Sequence, residues 1–147
     1  MRAHYFAYGS NLDLARMRAR VPSAQVVGTA LLRGMRLQLD KRGGDGSGKA
    51  NLRSDASGHV WGVVYTLARA HWAALDACEP GYTRIRVSVE CAGAVLDAET
   101  YISALRTPEP FALPWYKRLI IDGARAQGLP EAYVALLEDL PERGDPD

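Results

Sequence analysis

The stretch that decides the fold is HVWGVVYTL, residues 59–67. Its β-branched and aromatic residues form an unbroken apolar run of strand length, which predicts a strand buried on both faces. Gly62 interrupts it, and a glycine inside a strand marks a bulge or a close backbone approach. Downstream, ARAHWAALDACE (68–79) has helical spacing, with Trp72, Leu75 and Glu79 sharing one face, and Pro80-Gly81 ends it. YTRIRVSVEC (82–91) then alternates, Ile85, Val87 and Val89 on one side and Arg84, Arg86 and Ser88 on the other, a half-buried strand. Glu99–Ala104 reads as another short strand.

Upstream, HYFAY (4–8) is a short aromatic strand broken by Gly9. Ser10, with Asp13 three residues on, fits a capping box opening a helix from about Leu12 to Arg20; Leu12, Ala15 and Met17 face inward, the arginines outward, and Pro22 closes it. Val26–Asp40 carries two apolar stretches around Gly34. KRGGDGSGK (41–49) reads as a flexible surface loop. Past Pro108, Pro110 and Pro114, one helix runs from about Trp115 to Gln127 and ends at Gly128; a last one runs to Leu140 with Tyr133, Leu136, Leu137 and Leu140 on its face. Residues 141–147 read as a frayed polar tail. Strands and helices mix without regular βαβ alternation, which favours α+β in one domain spanning 1–147.

Composition narrows the function classes. The chain has 147 residues, 48% hydrophobic and 24% charged, as expected of a soluble globular domain. A net charge of +1 gives no electrostatic case for nucleic acid or an anionic membrane. No apolar run is long enough to span a bilayer, and MRAHYFAYGS lacks the apolar stretch of a signal peptide, so a cytoplasmic location is expected. Cys78 and Cys91 make neither a disulfide framework nor a metal motif, and His4, His59 and His71 show no metal-ligand spacing.

Two places could carry chemistry. At Tyr8-Gly9-Ser10-Asn11-Leu12 a glycine turn joins a strand to a helix start, where free backbone N–H groups converge; such a corner can hold a carboxylate or an oxyanion, or can be a plain capped turn. Glu79 shares an apolar helix face and sits at a helix C-terminus. Burial and the helix dipole would both raise its pKa, which suits a general acid/base; a helix that frays early would instead leave it in water. Asp76, at this spacing, faces elsewhere and reads as solvated. Tyr116 could reach inward with its hydroxyl or serve as a core aromatic.

Four ordered blocks together resemble the γ-glutamylcyclotransferase family: YFAYGSNL (5–12), VWGVVYTL (60–67), LDACEPGYTR (75–84) and WYKRLIIDGARAQGLPEAYVALL (115–137). The resemblance implies a small mixed β-barrel surrounded by helices. It implies an enzyme that releases 5-oxoproline from a γ-glutamyl amide, with no metal and no cofactor. In that chemistry the substrate's own α-amine attacks its γ-carbonyl. Glu79 matches the family's catalytic glutamate, Tyr8, Gly9, Ser10, Asn11 and Leu12 its substrate corner, and Tyr116 a tyrosine near the substrate. The resemblance allows a homodimer. The glycine-rich segment 41–55 matches no family pattern, and it would border the leaving-group side. The alternatives are removal of a γ-glutamyl protecting group from a larger conjugate, and a non-catalytic protein of this fold that binds a small ligand.

Overall fold

The computed structural model describes residues 1–144. Five strands close into a barrel in the order β1-β3-β2-β4-β5: β1 Arg2–Ala7, β2 Gln25–Arg42, β3 Gly48–Ala68, β4 Thr83–Cys91 and β5 Ala94–Ile102. Every neighbouring pair is antiparallel except β1 with β5, which meet in parallel at Tyr5–Glu99 and seal the barrel. The sheet is therefore mixed and the fold α+β, as the sequence pattern and the family resemblance lead one to expect.

The run at 59–67 is the heart of β3. It pairs with β1 on one side and β2 on the other, and Val60, Val63, Val64, Tyr65 and Leu67 are buried. Gly62 is there because β1 crosses close to β3 at it: a Cβ would lie 2.2 Å from the Ala7 carbonyl oxygen and 2.8 Å from the Phe6 ring.

The largest departure from the sequence reading is the segment 41–49. It is no open loop. β2 and β3 form one long hairpin that continues to Arg42 and Gly48, closed by a compact turn. Gly43 N–H donates to the Ser47 carbonyl at 2.8 Å, and Asp45 accepts from the backbone and hydroxyl of Ser47. The pairing slips by one residue between Gln38 and Lys41. This bulge turns three consecutive side chains, Leu39, Asp40 and Lys41, into the protein. The strand read at 99–104 is likewise longer. β4 and β5 form a tight hairpin through Ala92 and Gly93, both at positive φ, the turn that matches strand twist.

Four helices surround the barrel: α1 Leu14–Arg20, α2 Trp72–Ala77, α3 Pro114–Ala126 and α4 Glu131–Glu138. The N-cap of α1 is Asp13, whose carboxylate accepts from Arg16 N–H at 2.8 Å; Ser10 instead opens a separate short 3-10 turn, Ser10–Leu12. Met17 is buried as read, but Ala15 is exposed, and Arg16 and Arg20 turn inward rather than out. In α4, Tyr133, Val134 and Leu137 make the buried face and Leu136 is exposed. Pro141 and Arg143 exchange backbone hydrogen bonds with Ala112, so this part of the segment read as frayed is tied down. Residues 145–147 lie outside the described residues.

Candidate active site

The end of β1 delivers the chain to one mouth of the barrel, and the 3-10 turn sits across that mouth. Gly9 is confined: a Cβ would meet the Ala50 methyl at 2.9 Å. The first turn bond runs from Leu12 N–H to the Gly9 carbonyl at 3.0 Å. The amides of Ser10 and Asn11 therefore precede any bond within the turn. Ser10 and Asn11 are buried polar residues. The Tyr65 hydroxyl fixes the turn from beneath by donating to the Asn11 carbonyl at 2.7 Å.

Glu79 comes to the same mouth from the far side. Trp72 and Leu75 bury the inner face of α2, and the chain leaves the helix through Cys78 to place Glu79 just beyond its end. The Glu79 side chain is 16% exposed. Its Oε1 accepts from Asn11 Nδ2 at 3.1 Å and from an Arg20 guanidinium nitrogen at 3.1 Å. The amide of Asn11 is fully used: Nδ2 also donates to the Tyr5 hydroxyl at 3.0 Å, and Oδ1 accepts from Arg20 at 3.2 Å. Among the described residues no hydrogen bond falls on Oε2, and that oxygen is not sealed from solvent. Burial raises the pKa of Glu79 above its ordinary value, with Arg20, the Asn11 hydrogen bond, Arg16 and Lys41 pulling the other way.

Tyrosines line the rest of the cleft. Tyr8 donates its hydroxyl to the Tyr101 carbonyl at 2.5 Å, and Tyr82 donates to the Ala50 carbonyl at 2.6 Å. The Tyr116 hydroxyl accepts from Ala50 N–H at 2.9 Å. Burial pushes Tyr116 up to about 12, so it stays a neutral phenol. Tyr101 donates to Asp76 at 2.6 Å, and Asp76 in turn pairs with Arg84 at 2.9 Å, so this acid, exposed as read, also braces the aromatic wall.

The cleft has two lobes. The inner, narrow one is lined by Tyr8, Gly9, Ser10, Asn11, Glu79 and Tyr116 among others. It opens into a wider lobe edged by Arg16, Lys41, Lys49 and Trp115, with Glu79 common to both. Six of the seven residues singled out in the sequence thus meet at one place. Leu12 does not: its side chain is fully buried, and Gly123 of α3 packs against its backbone. Arg16, Arg20, Lys41, Tyr5 and Tyr82 are the site residues that sequence reading missed. The one available signal was the arginine spacing on α1, residues 16 and 20 lying one above the other on a single helix face. Among the described residues no helix is long and apolar enough to cross a membrane.

Comparison with known proteins identifies the family and the fold. The profile of the AIG2-like family matches residues 59–137. The γ-glutamylcyclotransferase of Mus musculus is 31% identical over 146 aligned positions, which cover 92% of this chain and 77% of the mouse protein. The Homo sapiens γ-glutamylcyclotransferase is also 31% identical, with the same coverage. A solved structure of a γ-glutamyl cyclotransferase superposes with a TM-score of 0.90 at 27% identity, covering 97% of this chain and 90% of that one. The family profile, the relatives and the superposition agree, and the chain belongs to the AIG2-like, γ-glutamylcyclotransferase family of enzymes.

Proposed function

We propose that this enzyme releases 5-oxoproline from a γ-glutamyl amide by intramolecular attack, with Glu79 as the proton carrier. The observation that carries the reading is the half-satisfied carboxylate: one Glu79 oxygen is held by Asn11 and Arg20, and the other is left without a partner in a cleft walled by the 3-10 turn. A carboxylate kept only to receive a proton needs one oxygen fixed and one free.

In this reading the glutamyl end lies in the inner lobe. The substrate's α-nitrogen attacks its own γ-carbonyl carbon, the new carbon–nitrogen bond closes the five-membered ring, and the old amide bond breaks. Glu79 takes a proton from the α-ammonium to free its lone pair, the ring nitrogen sheds a second as the lactam forms, and the departing nitrogen takes up both and leaves as an ammonium, so no water and no co-reactant is consumed. Tethering the nucleophile to the electrophile removes the entropy cost of bringing them together. The raised pKa of Glu79 fits a group that must be both base and acid near neutrality. The amides of Ser10 and Asn11 are the donors for the oxyanion that develops on the γ-carbonyl. Tyr116 supports the wall beside the turn through its bond to Ala50. The amine leaves through the wider lobe, beside the 43–47 turn.

The test is to incubate the protein, with and without EDTA, with γ-glutamyl-alanine, γ-glutamyl-lysine isopeptide and glutathione, and to assay 5-oxoproline by mass spectrometry. EDTA-insensitive 5-oxoproline from at least one of them is expected. Its absence from all of them overturns the reading and favours a ligand-binding role for the cleft.

A further inference from the structure

The wider lobe is charged in a way the reaction itself does not require. Four cations edge it, Arg16, Arg20, Lys41 and Lys49, against Glu79. Arg20 is engaged with Glu79, and Lys49 lies 3.7 Å from Asp45 and over the Trp115 and Tyr116 rings. The other two are uncommitted. Among the described residues neither Arg16 nor Lys41 has a carboxylate partner, although Arg16 Nε reaches the Ser10 hydroxyl at 3.2 Å.

Lys41 is the more telling. The residue is only 8% exposed and turned inward by the β2 bulge, while its ammonium still reaches the lobe and, among the described residues, has no hydrogen-bond acceptor. Its nearest company is the Tyr82 ring, 5.1 Å from Nζ to centroid. Burial holds it below the ordinary lysine value, with Glu79 opposing and nearby Lys49 adding. A partly desolvated ammonium that faces an open lobe without a partner is suited to take an anion from it. Its neighbour Asp40 does not, since that carboxylate is taken by Arg106, Arg53 and Asn51.

Resting on the function proposed above, we propose that the wider lobe selects a dicarboxylic amino acid as the leaving amine, with Lys41 and Arg16 reading its carboxylates. Lys41 on the strand and Arg16 on α1 stand on different elements that edge one lobe, with Glu79 at its junction with the inner lobe. Two separate cations suit a leaving group with two anionic ends. A neutral side chain leaves one cation unpaired, and a basic one is repelled by all four.

The experiment compares kcat/KM for γ-glutamyl-glutamate, its neutral isostere γ-glutamyl-glutamine, and γ-glutamyl-lysine joined through the lysine α-amine. One charge-assisted contact predicts that glutamate exceeds glutamine by about tenfold, with lysine lowest. The preference should shrink as salt is raised. Lys41→Met and, separately, Arg16→Gln should each bring the glutamate-to-glutamine ratio severalfold closer to one, so the test survives if either variant folds poorly. Equal rates for glutamate and glutamine in the unaltered protein overturn the subsite while leaving 5-oxoproline release standing. No 5-oxoproline from any of the three, or from the simpler panel above, overturns both.

Discussion

Two buried carboxylates stand at the same end of the barrel and are treated in opposite ways. Asp40 is 2% exposed, and both of its oxygens are occupied: Arg106 reaches them at 2.9 Å each, Asn51 donates at 3.0 Å and Arg53 at 3.2 Å. Glu79 is more open, has contacts on one oxygen alone, and has its pKa raised by burial. Full satisfaction makes an acid a structural fastener, here tying the turn end of the β2–β3 hairpin to the segment after β5. Incomplete satisfaction leaves an acid free to change its charge. The location of each follows from its backbone: Asp40 lies in a strand bulge, where neighbours are fixed by the sheet, and Glu79 lies just past a helix end, where they are not.

The contrast can be broken from either side. The largest effect is expected from Asp40→Ala, which strands the half-buried Arg106 and takes one acceptor from the buried Asn51 amide; urea unfolding should show a loss of about 3 kcal/mol. A loss below about 1 kcal/mol would mean that the cluster is not a fastener, because that is the range of exposed ion pairs. Next is Tyr116→Phe, which leaves the Ala50 amide buried without its acceptor and should cost about 1–3 kcal/mol by the same method. Ala50 precedes Asn51, so this variant probes the joint between the two regions. Asp13→Ala removes the α1 cap that aligns Arg16 and Arg20, at a cost of about 1 kcal/mol.

The smaller effects are in pH dependence. Arg20 holds the Glu79 pKa down against burial, so Arg20→Gln should move the acidic limb of the pH–rate profile to higher pH. An unmoved limb would assign that limb to another group. For stability the sign is fixed by the direction of the shift. The folded-state pKa of Glu79 lies above its ordinary value of 4.5, so folding favours the protonated form. That contribution is whole below the unfolded value and is lost as pH rises through the folded one. Glu79→Gln should therefore gain in Tm relative to the unaltered protein as pH rises from 4 toward 7, and a gap that narrows over that range would contradict the burial argument.

Much of this was legible in the chain. HVWGVVYTL announced a strand buried on both faces, and Gly62 within it marked the contact with Ala7. The segment 68–79 pointed to Glu79, but α2 spans only Trp72–Ala77, so the burial that raises the Glu79 pKa comes from where the chain runs past the helix end and not from helical periodicity. What stayed hidden had physical causes. A bulge breaks the period-2 pattern, so the strand around Asp40 could not be followed by alternation, and the glycines at 43–48 looked like disorder when they make a turn. Ser10 and Asp13 both fit an N-cap, and only the 3-10 turn between them decides which one serves. Arg16 and Arg20 face the cleft because of where α1 packs, a tertiary fact that polar residues on a helix do not announce.

The central claim rests on the free oxygen of Glu79. The direct measurement is the rate of 5-oxoproline release, per folded molecule, by the unaltered protein and by Glu79→Gln, using whichever γ-glutamyl amide gives the most product. Glutamine keeps the shape and the Oε1 contacts but cannot carry the proton, so release should fall by about 100-fold or more with the fold intact. Release within about threefold of the unaltered protein, well short of the usual contribution of a general acid/base, would show that the proton travels by another route and would contradict the account.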